Sequence, residues 1–399
     1  MSLGTTTFNY DARMNKIITK GYTQPSLQFY NASTHQFQAD IWDELKQGLW
    51  TQYNIDNRVY NDSIGEVRLS EWRPIFPNVI PIYSGVEWDA QHNRYTEQRY
   101  YPQYNTDENL YKFIDKAANF FDNYKDKKIG VHLSGGLDSS LIICLLHYLH
   151  IPCTLIGFST KRFEFRTERY IQQKMMEYGE YAELIDLEQY PFYSKLSNTP
   201  KHQIPDSYIK QNEASRALAE AFAKQKVEVV FTGQGGDSLF VDAFIPNTTS
   251  FNIGNEFTFP WEQDLIYSPL GIELVSFFSD PTIIDAICSM RVGQKDDPLK
   301  WWARKTFKEI LPIELSDYAY CADFFGISMS GLEAAKPEIR LLCEEAYDRI
   351  PHPIFNQKGI EEILSTDVFS LEHKTYCALC TKISIAVWLH SLFRDNENK

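Results

Sequence analysis

The sequence predicts an α/β fold: a parallel sheet with helices on both faces, followed by a helical part and preceded by a small β-rich domain. Three observations predict it. From Asp107 to about 250, short apolar runs alternate with longer amphipathic ones, as strands do when crossover helices separate them. Two of those runs, within Ile129 to Leu149 and Val229 to Phe240, pass without spacer into a glycine-rich turn and then into helix-compatible sequence. From about Phe251 onward strand patterns cease and apolar residues recur at helical spacing. The expected domains are 1–106, small and β-rich, and 107–399, in which 107–250 hold the sheet and 251–399 the helical part.

Each element has a local reason. Before Tyr104 the chain is rich in Tyr, Asn, Gln and Trp, and its short alternating stretches, Val67 to Ser70 and Val79 to Tyr83, read as hairpin strands, with one helix near Asp40 to Leu49. Asp107 is an expected N-cap for the stripe Leu110, Phe113, Ile114, Ala117, Phe120. A first strand at Ile129 is followed by strands at Cys153 to Phe158, Ala182 to Leu187 and Val227 to Thr232. Helices lie between them at Thr167 to Tyr178 and Asn212 to Gln225. The helices expected in the last part are Pro269 to Phe278, Pro281 to Arg291, Pro298 to Leu311, Leu332 to Arg349, Lys358 to Ser365 and Lys374 to Arg394. Several open on proline, which suits a first helical turn.

Bulk composition narrows the class. The chain has 399 residues and 43% hydrophobic residues, enough for two or three cores. With 39 basic and 53 acidic side chains its net charge is −14, which argues against nucleic acid held by counterion release. No apolar run reaches the roughly 20 residues a membrane span needs. The first residues lack the basic-then-apolar layout of a signal peptide, so a cytoplasmic setting is expected. The seven cysteines, an odd number among apolar neighbours, suit a reduced interior, and the lone Cys377-x-x-Cys380 pair reads as packing rather than a zinc site. His132, inside the first strand, reads as a buried, satisfied side chain; His202 and His373 sit in polar sequence.

The two glycine turns carry the chemistry. Ser134-Gly135-Gly136-Leu137-Asp138-Ser139-Ser140 joins strand to helix. Its adjacent glycines clear side chains from the backbone, which leaves main-chain N–H donors and serine hydroxyls at a helix N-terminus, a phosphate pocket. The spacing is neither the Walker nor the dinucleotide pattern. Gly233-Gln234-Gly235-Gly236-Asp237 repeats the architecture. Both turns follow strands of one parallel sheet, so both lie along the edge where ligands bind, and Asp138 and Asp237 are expected as paired oxygen ligands for Mg²⁺ carried by a nucleotide triphosphate, a helix cap being the other reading of Asp237.

SGGLDSS resembles the pyrophosphate loop of the N-type ATP pyrophosphatases, with an adenine nucleotide alpha hydrolase-like fold. Together with GQGGDSLF it is similar to the paired motifs of the asparagine synthetase family, which includes β-lactam synthetase and lasso-peptide cyclase. Tyr267-Ser268-Pro269-Leu270 followed by Glu273-Leu274-Val275, and Lys300 to Phe307 continuing to Leu311-Pro312, resemble two further segments of that family. The resemblance covers about Asp107 to Phe325. It implies an ATP-dependent ligase that adenylates a carboxylate, releases pyrophosphate and forms an amide with an amine. Carried over residue by residue, Ser134, Gly135, Gly136, Asp138, Ser139 and Ser140 form the pyrophosphate loop. Gly233, Gly235, Gly236 and Asp237 form the second loop, and Leu133 and Phe158 flank adenine. The implied cofactors are ATP and Mg²⁺, and the implied substrate a small molecule or peptide bearing a carboxylate and an amine. A second copy of the chain, or a separate amine-supplying or peptide-delivering protein, is the partner left open.

Four departures bear on the activity. The first cysteine is Cys144, so the N-terminal stretch lacks the cysteine of a glutaminase domain and reads as a remnant of one, with no glutamine hydrolysis expected. Gln234 and Ser238 stand where the second loop usually has glutamates. Leu265 replaces a glutamate, with Glu262 and Asp264 nearby. The lysine expected after Leu311-Pro312 has no counterpart, Tyr318, Tyr320 and Cys321 standing there instead. Lys300 and Arg304 are the cations offered in its place, with Lys305 beside them, and Tyr320 is a candidate to assist proton removal from the amine. A solvated helix face is the other account of those cations. The alternative function is a catalytically degenerate member that holds nucleotide or peptide.

Overall fold

A computed structural model describes residues 7–11, 16–20, 28–31, 36–38, 79–82, 86–89, 94–97, 99–202, 207–251, 262–317, 325–349, 361, 364–365, 367–371 and 373–394. Expected elements at Asp40 to Leu49 and Val67 to Ser70, most of Lys358 to Ser365, and Tyr318, Tyr320 and Cys321 lie outside the described residues. The chain divides into two compact units. One comprises Met1–Ser26, Tyr83–Glu188 and Ala217–Asp323; the other comprises Leu27–Ile82, Gln189–Arg216 and Phe324–Lys399.

The N-terminal strands are β1 (Thr7–Asp11), β2 (Lys16–Lys20), β3 (Gln28–Asn31), β4 (Gln36–Gln38), β5 (Val79–Ile82), β6 (Val86–Asp89) and β7 (Arg94–Glu97). They form two antiparallel sheets, ordered β1-β2-β6-β7 in the first unit and β4-β3-β5 in the second. The hairpin chemistry expected of this region is therefore present where it is described.

Helix α1 (Leu110–Asp122) follows in the first unit. Its cap is Asn109, whose side chain accepts from the backbone N–H of Tyr111 and Lys112. The expected Asp107 instead uses its own N–H to donate to Asn105 Oδ1 at 3.0 Å, in an Asx turn one step earlier. Next come β8 (Ile129–His132), α2 (Leu137–Tyr148), β9 (Thr154–Ser159), α3 (Arg166–Met175), β10 (Tyr181–Asp186), α4 (Asn212–Lys224), β11 (Val229–Thr232), α5 (Gly236–Phe240) and β12 (Glu273–Ser276). The sheet order is β10-β9-β8-β11-β12 and every pairing is parallel.

Strand β12 corrects the sequence reading, which placed a helix at Pro269 to Phe278 and ended the strands before it. A buried four-residue strand shows no alternation, so its apolar run is indistinguishable from a helical stripe by spacing alone. Val229 aligns with Glu273 and Phe231 with Val275, so β12 extends the sheet beyond β11.

Helices cover both faces. On one face Phe231 packs edge-on to Phe121 and Tyr124 of the α1 region, with ring centroids 5.3 and 5.1 Å apart. On the other, His132 stacks on Phe222 of α4 at 5.8 Å. Phe113, Phe120, Phe121, Phe231, Phe277 and Phe307 form one aromatic core, and burying each phenyl ring contributes about 1.5–3 kcal/mol. The remaining helices of this unit are α6 (Pro281–Arg291), α7 (Trp301–Thr306) and α8 (Ile313–Ser316). Helix α7 is shorter than the expected Pro298 to Leu311.

His132 is satisfied, as the sequence suggested, though half-buried rather than fully enclosed: its ring nitrogen lies 2.8 Å from the Tyr267 hydroxyl, and desolvation pushes its pKa down to about 4. The sign follows directly. An unfolded chain takes up this proton below the ordinary value near 6.5, the folded one only near 4, so the residue's stabilisation is full above 6.5 and drains between 6.5 and 4. About 3 kcal/mol is lost over that window. Urea midpoints measured at pH 7 and pH 4.5 should therefore converge in His132→Asn relative to the parent chain.

In the second unit, α9 (Phe325–Arg349) packs against α10 (His373–Phe393). Glu338 accepts from the backbone N–H and hydroxyl of Ser197 at 2.8 and 2.7 Å, and His390 pairs with Glu345 at 2.8 Å. His202, read from sequence as lying in polar surroundings, is buried here: its Nδ1 meets Pro200 O, and its carbonyl accepts from Trp388 Nε1. Cys144, Cys153, Cys288, Cys343 and Cys380 are buried free thiols. Among the described residues no three His, Cys, Asp or Glu side chains gather as a metal cluster, and no helix is long and apolar enough to cross a membrane.

Candidate active site

The strand order places β8 and β11 side by side at the centre of the sheet, where the chain's direction of travel across the sheet reverses. Ligands bind at such a switch point, beyond the carboxyl ends of the strands. Both glycine loops leave from there.

In the first loop Gly135 adopts φ 82°, a left-handed backbone, and a β-carbon there would sit 2.5 Å from the carbonyl oxygen of Glu168. Only glycine fits. Gly136 is the N-cap of α2 and offers no side-chain cap, so the first-turn N–H groups receive nothing from the cap residue. Ser134 Oγ accepts from Gly136 N at 3.1 Å and lies 2.6 Å from Ser139 Oγ, which fixes both hydroxyls at the mouth of the loop. Ser140 is different: it is fully buried in α2 and its hydroxyl has no hydrogen-bond partner. Leu133 is buried, and Phe158, at the end of β9, is half-buried.

In the second loop Thr232 Oγ1 accepts from Gln234 N at 3.0 Å, and Ser276 Oγ donates to Gln234 O at 2.7 Å, so β12 helps to shape the turn. Gly235, at φ 84°, starts α5, and Asp237 lies in its first turn. The two loops touch. A β-carbon on Gly236 would sit 2.4 Å from Asp138 Cγ and 2.7 Å from its Oδ2.

Lys300 joins them. Its Nζ donates to Asp138 Oδ1 and Oδ2 at 2.8 and 2.7 Å and lies 2.6 Å from Asp237 Oδ1. The backbone that brings it there is left-handed, φ 56° and ψ 34°, at the N-cap of α7. Its turn is anchored: Asp297 N donates to Val241 O at 2.7 Å, and Asp297 Oδ2 accepts from Trp302 N. The Lys300 ammonium and Asp138 carboxylate are 13% and 17% exposed, Asp237 83%, so the inner pair is shielded and the outer acid faces solvent. Burial disfavours the Lys300 ammonium, but Asp138 and Asp237 outweigh it and raise its pKa, so it stays cationic. Burial pushes the Asp138 carboxyl up, Lys300 pulls it down and Asp237 pushes it up again, for a net rise.

Two buried side chains that sequence reasoning missed hold this arrangement. Gln172 of α3 donates from Nε2 to Leu133 O at 2.9 Å, Ser134 O at 3.3 Å and Phe158 O at 2.5 Å, tying together the ends of β8 and β9. Arg291 donates to Leu239 O at 3.1 Å and Val241 O at 2.7 Å, securing the C-terminal end of the short helix that carries Asp237. Gln172→Leu should lower stability by about 1–3 kcal/mol, because it leaves buried carbonyls unpaired; thermal unfolding measures it. Arg304 is likewise buried, with Nε on Leu299 O at 3.0 Å and Nη1 on Leu315 O at 2.5 Å. Its charge acts on Asp138 in the same sense as Lys300's, while Lys305 is exposed.

The two carboxylates already converge on one cation, and carboxylate oxygens are the donors a hard divalent ion takes, so the pair fits Mg²⁺. Such an ion commonly takes its remaining ligands from water and substrate phosphates.

A glycine-loop α/β protein with an acid pair at its switch point is the class this geometry defines. Residues 124–252, about a third of the chain, match the family model described as asparagine synthase; this segment contains both glycine loops. No curated protein matches the chain. Among solved structures it is similar to an NMN synthetase from Francisella tularensis, with 14% identity and a TM-score of 0.27 over 58% of this chain and 95% of that one. It is also similar to an NAD+ synthetase from Burkholderia pseudomallei, with 14% identity and a TM-score of 0.24 over 52% and 92%.

Proposed function

We propose that the chain is an ATP-dependent ligase that adenylates a substrate carboxylate and joins it to an amine, without hydrolysing glutamine. The observation that carries this reading is the convergence of Asp138 and Asp237, from two glycine loops, on one cationic position beside an open helix N-terminus. A carboxylate oxygen attacks the α-phosphorus of ATP, the bond to the β-phosphate oxygen breaks, and pyrophosphate leaves with the electron pair. The amine nitrogen then attacks the acyl carbon and loses a proton, and AMP departs with the acyl carbon–oxygen bond electrons.

The residues divide this work. Backbone N–H groups of Gly135 and Ser139, with the Ser134 and Ser139 hydroxyls, receive the pyrophosphate where its charge accumulates. Asp138 and Asp237 would hold Mg²⁺, which supplies positive charge to the leaving group. Lys300 adds a second cation, Arg304 positions α7 behind it, and Leu133 and Phe158 border the adenine. The proton acceptor for the amine is assigned to Tyr320. Substrates are small molecules or peptides carrying a carboxylate and an amine, and a cytoplasmic setting suits the ATP requirement.

ATP–pyrophosphate exchange across a panel of carboxylates and peptides, aspartate with ammonia included, tests the reading. Exchange that depends on one of these supports the ligase. Micromolar ATP binding with no exchange for any of them favours the degenerate nucleotide-binding alternative, toward which Gln234 and Ser238 also point.

A further inference from the structure

Lys300 does more than add charge beside a leaving group. Its ammonium sits within 2.6 to 2.8 Å of three carboxylate oxygens, the atoms a divalent ion would need. A divalent ion taking those oxygens while the ammonium stays in place would meet strong repulsion in a half-shielded site. We infer that Lys300 is a resident counter-ion that closes the Asp138–Asp237 pair to free divalent cations, so that metal enters only together with the nucleotide. The inference rests on the ligase reading for the identity of the site.

Three features on this side of the sheet support it. Asp138 is 17% exposed, and losing the ammonium that contacts both its oxygens would leave a shielded charge poorly compensated, so the resting site needs Lys300. The lysine's backbone is pinned by Asp297, which ties the turn to Val241, so displacement needs only its flexible side chain to swing. No third acid or imidazole joins the pair among the described residues, so a lone ion has two carboxylates and water to set against the ammonium it must expel. A triphosphate changes that balance. It brings oxygens for the metal and a new partner for the displaced ammonium, so nucleotide and metal binding reinforce one another. Arg304, the other cation acting on Asp138, donates to the carbonyls of Leu299 and Leu315, which orients α7 behind Lys300.

The test counts bound Mn²⁺ by electron paramagnetic resonance on the full chain, with and without a non-cleavable α,β-methylene ATP. The parent chain should bind Mn²⁺ weakly alone and at one tight site with the nucleotide analogue. Lys300→Met should raise affinity for Mn²⁺ alone by about tenfold or more and shrink the nucleotide's enhancement. Lys300→Arg should keep free metal out, and adding Asp237→Asn to Lys300→Met should abolish the gain. If Lys300→Met binds Mn²⁺ alone no better than the parent while the parent loads Mn²⁺ with the analogue, the counter-ion role is overturned. If the parent takes up neither analogue nor metal, the ligase reading itself falls. Circular dichroism of each variant establishes that it is folded.

Discussion

Asp138→Asn lowers carboxylate-dependent ATP–pyrophosphate exchange by about a thousandfold, the largest effect expected of any single substitution in this chain. The amide keeps the size of the side chain, so the contact with Gly236 survives. The charge does not, and with it goes one of the two oxygen donors that would hold the metal. Lys300 keeps Asp237 as a partner at 2.6 Å, so the variant remains folded and the loss falls on chemistry. Exchange assays paired with thermal melts separate the two; a melt lowered by many degrees together with the lost activity would assign Asp138 to structure instead.

Gly236→Ala is expected to cost about a hundredfold in the same assay. One added methyl would lie 2.4 Å from Asp138 Cγ, closer than carbon atoms approach, so the carboxylate must rotate off Lys300 or the second loop must retreat. Gly236 opens helix α5 and, unlike Gly135 and Gly235, is not in the left-handed region, so the damage at 236 is displacement rather than backbone strain. A misplacement of about 1 Å at a reacting centre suffices for a loss of that size. Kinetics should show it in kcat more than in the KM for ATP, since the helix N-terminus of α2 is untouched.

Much of this was legible in the residues, and the illegible parts share a cause. The two glycine loops announce themselves because each needs a contiguous pattern: apolar strand, positive-φ glycine, acid, helix. Their meeting follows from a parallel sheet alone, and the contact of Gly236 with Asp138 realises it. Strand β12 was hidden because Leu274, Val275 and Ser276 are buried without alternation, and a helix-friendly proline precedes them. Asp107 and Asn109 are both good capping residues two positions apart; only the start of α1 at Leu110 decides between them. Gln172 and Arg291 gave no signal at all. Their partners are backbone carbonyls, which every residue possesses, and a lone polar side chain in a helix looks like a solvated one. Lys300 was visible as a cation, but its left-handed turn, which carries the ammonium to both acids, depends on contacts of Asp297 that no spacing encodes.

The most direct measurement follows oxygen. With the carboxylate that drives exchange labelled with heavy oxygen, the ligase mechanism transfers one labelled atom to AMP, because the carboxylate oxygen becomes bonded to the α-phosphorus and stays there when the amine takes the acyl group. Mass spectrometry of the AMP reads it. One heavy oxygen per AMP is the predicted result; label in orthophosphate with ADP as the nucleotide product, or AMP carrying none, would contradict it.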